Sequence, residues 1–363
     1  MKNTFGNNIS ITLFGESHGE AIGAVLDGLP AGIDVNEAFI SHQLDLRRPV
    51  GKISTPRQEK DEFKILSGVF NSKTTGTAMC ITIPNENTHS KDYSKSYGKA
   101  RPGHADFTAF SKYNGYEDYR GGGHFSGRIT AGLVAAGAVC IDTLKKKNIF
   151  IGTHIKKCAG VQDAEFGDMK EDIKTLSNKT FAVLDDAKGE EMVKNIEAAS
   201  ATGDSVGGVL ETIVVGLPAG IGEPWFDSME GVLSHALFSI PAIKGVEFGA
   251  GFSCADMLGS EMNDSFEYEN GEVITETNNN GGINGGITNG MPVLFSCAVK
   301  PTPSISKEQK TIDFINKENT ILSTTGRHDP CIVHRARVVV DSVTAIVLCD
   351  LLAQKYGTDW LGA

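Results

Sequence analysis

Gly28-Leu29-Pro30-Ala31-Gly32-Ile33 occurs a second time, letter for letter, as Gly216-Leu217-Pro218-Ala219-Gly220-Ile221. Glycines around a Leu-Pro-Ala step are turn chemistry, because glycine takes backbone angles closed to other residues and proline fixes its own. Each copy follows an apolar run of strand character, Ala24-Val25-Leu26 in the first and residues 209–215 in the second. Each leads into a stretch with helical spacing, residues 35–46 and 227–237.

The echo continues downstream in the same order. Thr75-Gly76 introduces a strand over 77–83 and then Pro84; Asn289-Gly290 introduces a strand over 291–299, with Pro301 after Lys300. Arg128 opens a long apolar helix over 129–144, ending in Lys145-Lys146-Lys147, where positive charge suits a helix C-terminus. Arg327 precedes a similar run over 332–352. Three matched features in one order predict an ancient duplication. The expectation is a single α+β domain, 1–363, built from two similar halves, approximately 1–150 and 200–355. The Ala- and Gly-rich stretch 131–138 suits close packing between them.

Composition narrows the function. Hydrophobic residues at 40% and charged residues at 22% describe an ordinary globular chain. A net charge of −11 argues against nucleic-acid binding and makes local basic clusters stand out. No apolar run approaches the ~18 residues of a membrane span, and Met1-Lys2-Asn3-Thr4-Phe5-Gly6 lacks the apolar core of a signal peptide. Seven cysteines without a Cys-x-x-Cys read as reduced thiols, which points to the cytoplasm. The nine histidines show no ligand spacing, so no metal is expected.

Three separated loops combine a titratable group with Gly or Pro: Gly15-Glu16-Ser17-His18-Gly19, Arg101-Pro102-Gly103-His104-Ala105-Asp106 and Gly326-Arg327-His328-Asp329-Pro330-Cys331. Together they predict one composite active site with His18, His104 and Asp329 moving protons. His42, His89, His154 and His235 read as structural, and no Gly-x-Ser-x-Gly elbow supports a serine nucleophile. Arginine forks grip carboxylate and phosphate, and Arg47, Arg48, Arg57, Arg101, Arg120, Arg128 and Arg327, with Lys52 and Lys300, lie near Gly, Pro or Ser. The substrate class is a small polyanion. Gly121-Gly122-Gly123-His124-Phe125 ahead of an N-capping Ser126 offers backbone donors at a helix start. Lys300-Pro301-Thr302-Pro303-Ser304 is a second candidate cradle, and the Asn- and Gly-rich stretch 278–286 a third. Two rival readings use the same anion sites: a flavin- or nucleotide-dependent oxidoreductase, and a non-catalytic binding protein for a phosphorylated metabolite, against which the three proton-transfer residues argue.

Residues 15–19, Asp27-Gly28-Leu29-Pro30, 101–106, 121–128 with Thr130, 300–304 and 326–331 closely resemble chorismate synthase, over about residues 5–355. The resemblance implies a β-α-β sandwich with pseudo-two-fold symmetry, usually a homotetramer. It implies a 1,4-anti elimination of phosphate from 5-enolpyruvylshikimate 3-phosphate, giving chorismate with reduced FMN and no net redox change. In that likeness His18 protonates the departing phosphate, His104 stands near flavin N1, and Asp329 works with flavin N5 in removing the ring proton. Flavin contacts are implied for His124, Phe125, Ser126, Pro241, Ala242, Gly285, Lys300, Pro301, Thr302, Pro303, Ser304 and Arg327. Substrate contacts are implied for Arg47, Lys52, Arg101 and Arg128. His124 stands where many relatives carry Arg, and Asp341 where the C-terminal signature usually has Glu. Lys52 replaces a second Arg, in shifted register. No segment resembles a flavin reductase, so an external reductant is expected.

Overall fold

The computed structural model describes residues 2–49, 51–55, 60–86, 97–324 and 329–363. The first sheet holds β1 (Thr4–Phe5), β2 (Ser10–Gly15), β3 (Ala21–Asp27), β4 (Lys64–Ser67) and β5 (Met79–Pro84), in the order β1-β2-β3-β5-β4. The second holds β6 (Phe150–Cys158), β7 (Val161–Gln162), β8 (Gly208–Val215), β9 (Ile243–Phe248) and β10 (Val293–Val299), in the order β9-β10-β8-β6-β7. Every pairing in both sheets is antiparallel.

The five principal helices are α1 (Glu37–Arg47), α2 (Asp106–Tyr113), α3 (Thr130–Lys146), α4 (Met229–Leu237) and α5 (Val333–Tyr356). Helix α3 packs on β3 and β5, α5 packs on β6 and β8, and the two helices pack on each other. The helices therefore form a middle layer between two sheets, a β-α-β sandwich. Both are apolar on almost every side, as a helix buried between layers must be. Contact is close enough to demand small residues. A Cβ on Gly132 would lie 2.8 Å from the Gly23 backbone, and one on Gly137 would lie 2.4 Å from Ser342 Cβ.

The order β2-β3-α1-β4-β5-α3 recurs as β6-β8-α4-β9-β10-α5, with the same neighbours in each sheet. The hexapeptide echo holds atom by atom. Gly28 has φ +91 and Gly216 φ +87, and a Cβ on either would fall about 2 Å from a carbonyl oxygen, that of Asn8 or Asn148. Thr74 Oγ1 accepts from Ile33 N (2.9 Å) and donates to Pro30 O (2.6 Å); Thr288 Oγ1 does the same with Ile221 N (2.9 Å) and Pro218 O (2.7 Å). Strands β5 and β10 each start two residues later than the sequence predicts. In both copies the side chain before the glycine, Thr75 or Asn289, accepts from the backbone N–H two residues on, at Thr77 or Met291. The second sheet begins at Phe150, well before residue 200. Residues 159–207, carrying the helices Met169–Leu176 and Asp186–Ala201, fill a link that in the first half spans only residues 16–20.

Two buried charge groups stiffen the second half. Asp341 of α5 accepts from Thr153 of β6 (2.6 Å) and from Arg337 (3.1 Å); burial pushes its carboxyl up, against Arg337. On the other face of β6, fully buried His154 lies between Asp163 (2.8 Å) and its cross-strand neighbour Glu211 (3.1 Å). Burial disfavours the imidazolium, but the two carboxylates outweigh it and hold the histidine above its ordinary range.

Candidate active site

A cavity of about 930 Å³ is lined by the first residues of both α3 and α5, with further walls from β2, the end of α4 and the turn after β10. Both halves contribute. Part of the wall is apolar, from Ile11, Leu13, Leu133, Val339, Val343 and Ile346. Elsewhere Lys2, Arg47, Arg48, Arg128, Lys300 and Arg335 face only Asp61 and Asp329, six cations against two carboxylates among the described lining residues. In a chain of net charge −11 that concentration selects anions.

The loop before α3 organises one side. Gly121, Gly122 and Gly123 all have positive φ. A Cβ on Gly121 would fall 2.1 Å from His18 Cε1, and one on Gly122 3.1 Å from His104 Cε1. His124 Nδ1 donates to Gly15 O (2.8 Å), and Ser17 N donates to Gly123 O (3.2 Å), tying this loop to the His18 loop. Ser126 caps the turn Gly127–Ile129, accepting from Arg128 N at 3.3 Å.

His104 reaches the cavity wall with partners behind it. Its Nδ1 lies 2.9 Å from Asp106 Oδ1, and Arg101 grips Asp106 through Nε (2.8 Å) and Nη2 (2.6 Å). Burial opposes ionisation of Asp106 most strongly, yet its bonds to Arg101 and His104 outweigh that and keep the carboxyl well below the usual range. Lys300 Nζ donates to Gly103 O, and Arg101 Nη1 to Ser304 Oγ (3.4 Å), so the first-half loop 101–106 rests on the second-half turn 300–304.

Arg47 and Arg128 share one carboxylate. Asp61 Oδ2 lies 3.3 Å from Arg47 Nη1, and Asp61 Oδ1 bonds Arg128 Nη1. Arg47 also donates to Thr130 Oγ1 (2.9 Å) and Gly127 O (2.7 Å), and Arg128 to Asn85 Oδ1 (3.0 Å) and Pro84 O (3.0 Å). Asp329 Oδ1 accepts from Thr55 N (2.8 Å), and Oδ2 pairs with Arg335 Nη1 (2.8 Å).

Of the residues singled out in the sequence, Arg47, His104, His124, Phe125, Ser126, Arg128, Pro241, Ala242, Lys300, Thr302, Pro303, Ser304 and Asp329 line this cavity. His18 is buried against Gly121, and Arg101 stands behind His104. Pro301 is exposed beside the lining turn. Lys52 is exposed on the turn Gly51–Ile53, away from the wall. Gly285 is not brought to the cavity either: it sits exposed in the hairpin turn between Ile283–Asn284 and Ile287–Thr288. Arg57, His89 and Arg327 lie outside the described residues.

Two expectations are corrected. The Asn-rich stretch is no open anion cradle, because the protein supplies its own anion. Asp264 accepts from the backbone N–H groups of Asn279 (2.7 Å) and Asn280 (2.9 Å) and from the hydroxyl of Thr277 (2.7 Å). His235 lies on the cavity wall instead of inside the core, with its ring edge-on to Phe5 at 5.3 Å. Nothing in the sequence singled out Asp61 or Arg335 for the site. Both are charged residues whose placement is decided by tertiary packing.

Residues 9–353 match the chorismate synthase family. The chain is 47% identical to the chorismate synthase of Dehalococcoides mccartyi, over 97% of this chain and 96% of that one. It is 44% identical to that of Thermococcus kodakarensis (96% and 97% covered) and 46% identical to that of Methanobrevibacter smithii (96% of each). A crystal structure of chorismate synthase superposes with a TM-score of 0.77 at 30% identity, covering 97% of this chain and 94% of that one.

Proposed function

The chain belongs to the chorismate synthase family, and from that premise we propose how its cavity performs the family's reaction. The activity is that of a carbon–oxygen lyase: phosphate is eliminated from 5-enolpyruvylshikimate 3-phosphate to give chorismate, in aromatic amino-acid biosynthesis. The observation that carries our reading is the lining itself. Six cations drawn from both halves stand beside His104 and Asp329 and an apolar wall.

The substrate carries two carboxylates and a phosphate; we assign Arg47 at the end of α1 and Arg128 just before α3 to receive them, with Arg101 supporting the same wall. The cavity also fits reduced FMN, since Lys300 and the hydroxyls of Ser126, Thr302 and Ser304 suit a phosphate and the apolar wall suits a ring system. His124, Phe125, Pro241, Ala242, Pro301, Pro303 and Arg327 complete the residues we assign to flavin. Gly285 and Lys52 are left out of this assignment. When bound, the reduced flavin supplies electron density transiently for breaking the allylic C–O bond.

The chain's own groups handle protons. His18, buried beside Gly121, protonates the departing phosphate. His104 holds a proton on Nδ1 against the Asp106 carboxylate, which only accepts, and so keeps a fixed tautomer. Asp329, its two oxygens held by Thr55 N and Arg335, serves the removal of the ring proton. Walls from both halves flank the space the ligands would fill.

We also infer a cytoplasmic homotetramer that receives its flavin already reduced. The thiols of all seven cysteines are free. Trp225 and Phe226 expose adjacent large side chains, the kind of surface that a partner subunit covers. Among the described residues, the helix long and apolar enough to cross a membrane is Gly127–Lys146, which is 78% buried in the fold.

An anaerobic assay tests the reading. With photoreduced FMN and substrate, phosphate and chorismate should appear together while the flavin absorbance stays that of the reduced form. Stoichiometric flavin oxidation without phosphate release would replace the lyase reading with an oxidoreductase. A second arm with NADPH as the sole reductant should stay inactive until a flavin reductase is added.

A further inference from the structure

Asp329 is held at two points by groups from different elements. The N–H of Thr55, in the segment after α1, bonds Oδ1 at 2.8 Å. Nη1 of Arg335, in the first turn of α5, bonds Oδ2 at 2.8 Å. Arg335 is itself anchored, because its Nε donates to the carbonyl of Arg47 at the end of α1 (2.9 Å). Side-chain exposures of 19% for Arg335 and 17% for Asp329 place the pair on the cavity wall, shielded yet within reach of a ligand.

An aspartate held through one oxygen still turns about its last bond. Held through both, its carboxylate plane is fixed, and the remaining lone pairs point in set directions. From this geometry we propose that Arg335 is a positioning residue: it fixes the Asp329 carboxylate for proton removal and does not itself grip the substrate. The inference rests on the role given above to Asp329. The second bond to the Arg47 carbonyl is what makes the guanidinium a rigid reference, and a lysine would lack it.

The test is a double-mutant cycle on the full chain with reduced FMN. Arg335→Ala should lower kcat by roughly 10- to 100-fold, the scale on which misplacing a reacting group acts. The KM for substrate, and the Kd for FMN measured by flavin fluorescence in the presence of substrate, should each change less than about 3-fold. Arg335→Lys should recover part of the loss. In an Asp329→Asn background the arginine substitution should add less than about 3-fold, because the group it positions is gone. Should Arg335→Ala fail to fold, Arg335→Gln carries the same comparison. Independent, multiplicative losses in the cycle would overturn the proposal. So would a raised KM or FMN Kd at unchanged kcat, which would make Arg335 a direct ligand contact. Full turnover by Asp329→Asn alone would instead remove the role of Asp329, and this inference with it.

Discussion

His18 and His104 rest against consecutive residues of one loop, the first ring against Gly121 and the second against Gly122. Eighty-odd residues apart in the chain, the two imidazoles are brought against one strip of backbone that has no side chains to keep them away. The glycine run is thus a spacer between two imidazoles as well as the approach to α3.

Gly121→Ala should therefore act on His18. The new Cβ would lie 2.1 Å from His18 Cε1 and 2.3 Å from Nδ1, at a φ of +61 that alanine takes with strain. Turnover should fall by ~10²-fold or more, the scale of losing a general acid. Gly160→Ala is the control, with φ +85 but nothing within 4 Å of the added atom. It should lower the melting temperature slightly and leave turnover intact. An active Gly121→Ala enzyme would mean that His18 tolerates displacement.

Asp106 should matter through His104. Asp106→Asn replaces an acceptor-only group with one that can also donate, loosening the Nδ1 tautomer, and turnover should drop roughly 10- to 100-fold, as for other partners that orient a reactive imidazole. The acid side of stability should change too. The folded-state carboxyl lies below the usual aspartate value near 3.9, so its contribution is present above that pH and is lost as pH falls through the folded value. The parent should be the more stable protein near neutrality, and the difference should shrink below about pH 4 in urea melts.

What the sequence made legible was local chemistry. The Gly28 and Gly216 turns and the Ser126 cap depend on a few adjacent residues and recur in the structure as turns and a cap, while His104 and Asp329 stand on the cavity wall and His18 is buried against Gly121. Misreadings came where distant residues decide. The Asn-rich stretch looked like an anion cradle because its anion, Asp264, lies more than a dozen residues upstream. Arg335 sits inside a run whose other side chains are mostly buried, and only the fold shows that its head reaches Asp329. Asp61 carries no turn or spacing signal, yet it joins Arg47 to Arg128. The second sheet begins before the half predicted from residue 200, because the long link 159–207 hides the correspondence of β6 with β2.

His154 should give the enzyme an alkaline weakness. Its imidazolium, held between Asp163 and Glu211, is raised above the ordinary histidine value near 6.5. Its contribution is complete below that value and is lost as pH rises through the folded value. The parent melting temperature should fall on the alkaline side. His154→Leu should flatten that dependence and cost about 1–3 kcal/mol near neutrality, since it removes one bond from each carboxylate while Glu211 keeps Lys156 and Asp163 keeps the N–H groups of Leu184 and Asp185. An unchanged alkaline slope in His154→Leu would assign the weakness to another group.

The two hexapeptide turns supply a test of the duplication at the level of energy. Thr74 and Thr288 each satisfy one buried backbone N–H and one carbonyl, with distances matching within 0.1 Å. Valine keeps the shape of threonine but removes both bonds, leaving the N–H of Ile33 or Ile221 without its partner inside the protein. Thr74→Val and Thr288→Val should each cost about 1–3 kcal/mol in urea melts, the scale of an unsatisfied buried donor. The two costs should agree within about 1 kcal/mol and add in the double variant, because the sites lie in separate halves and share no hydrogen-bond partner. Divergence has a structural meaning here. A small loss at Thr288 with a full loss at Thr74 would show that the second turn is held by its later surroundings, chiefly the Gly222 and Gly286 backbones packed beside it, and no longer by the inherited hydroxyl.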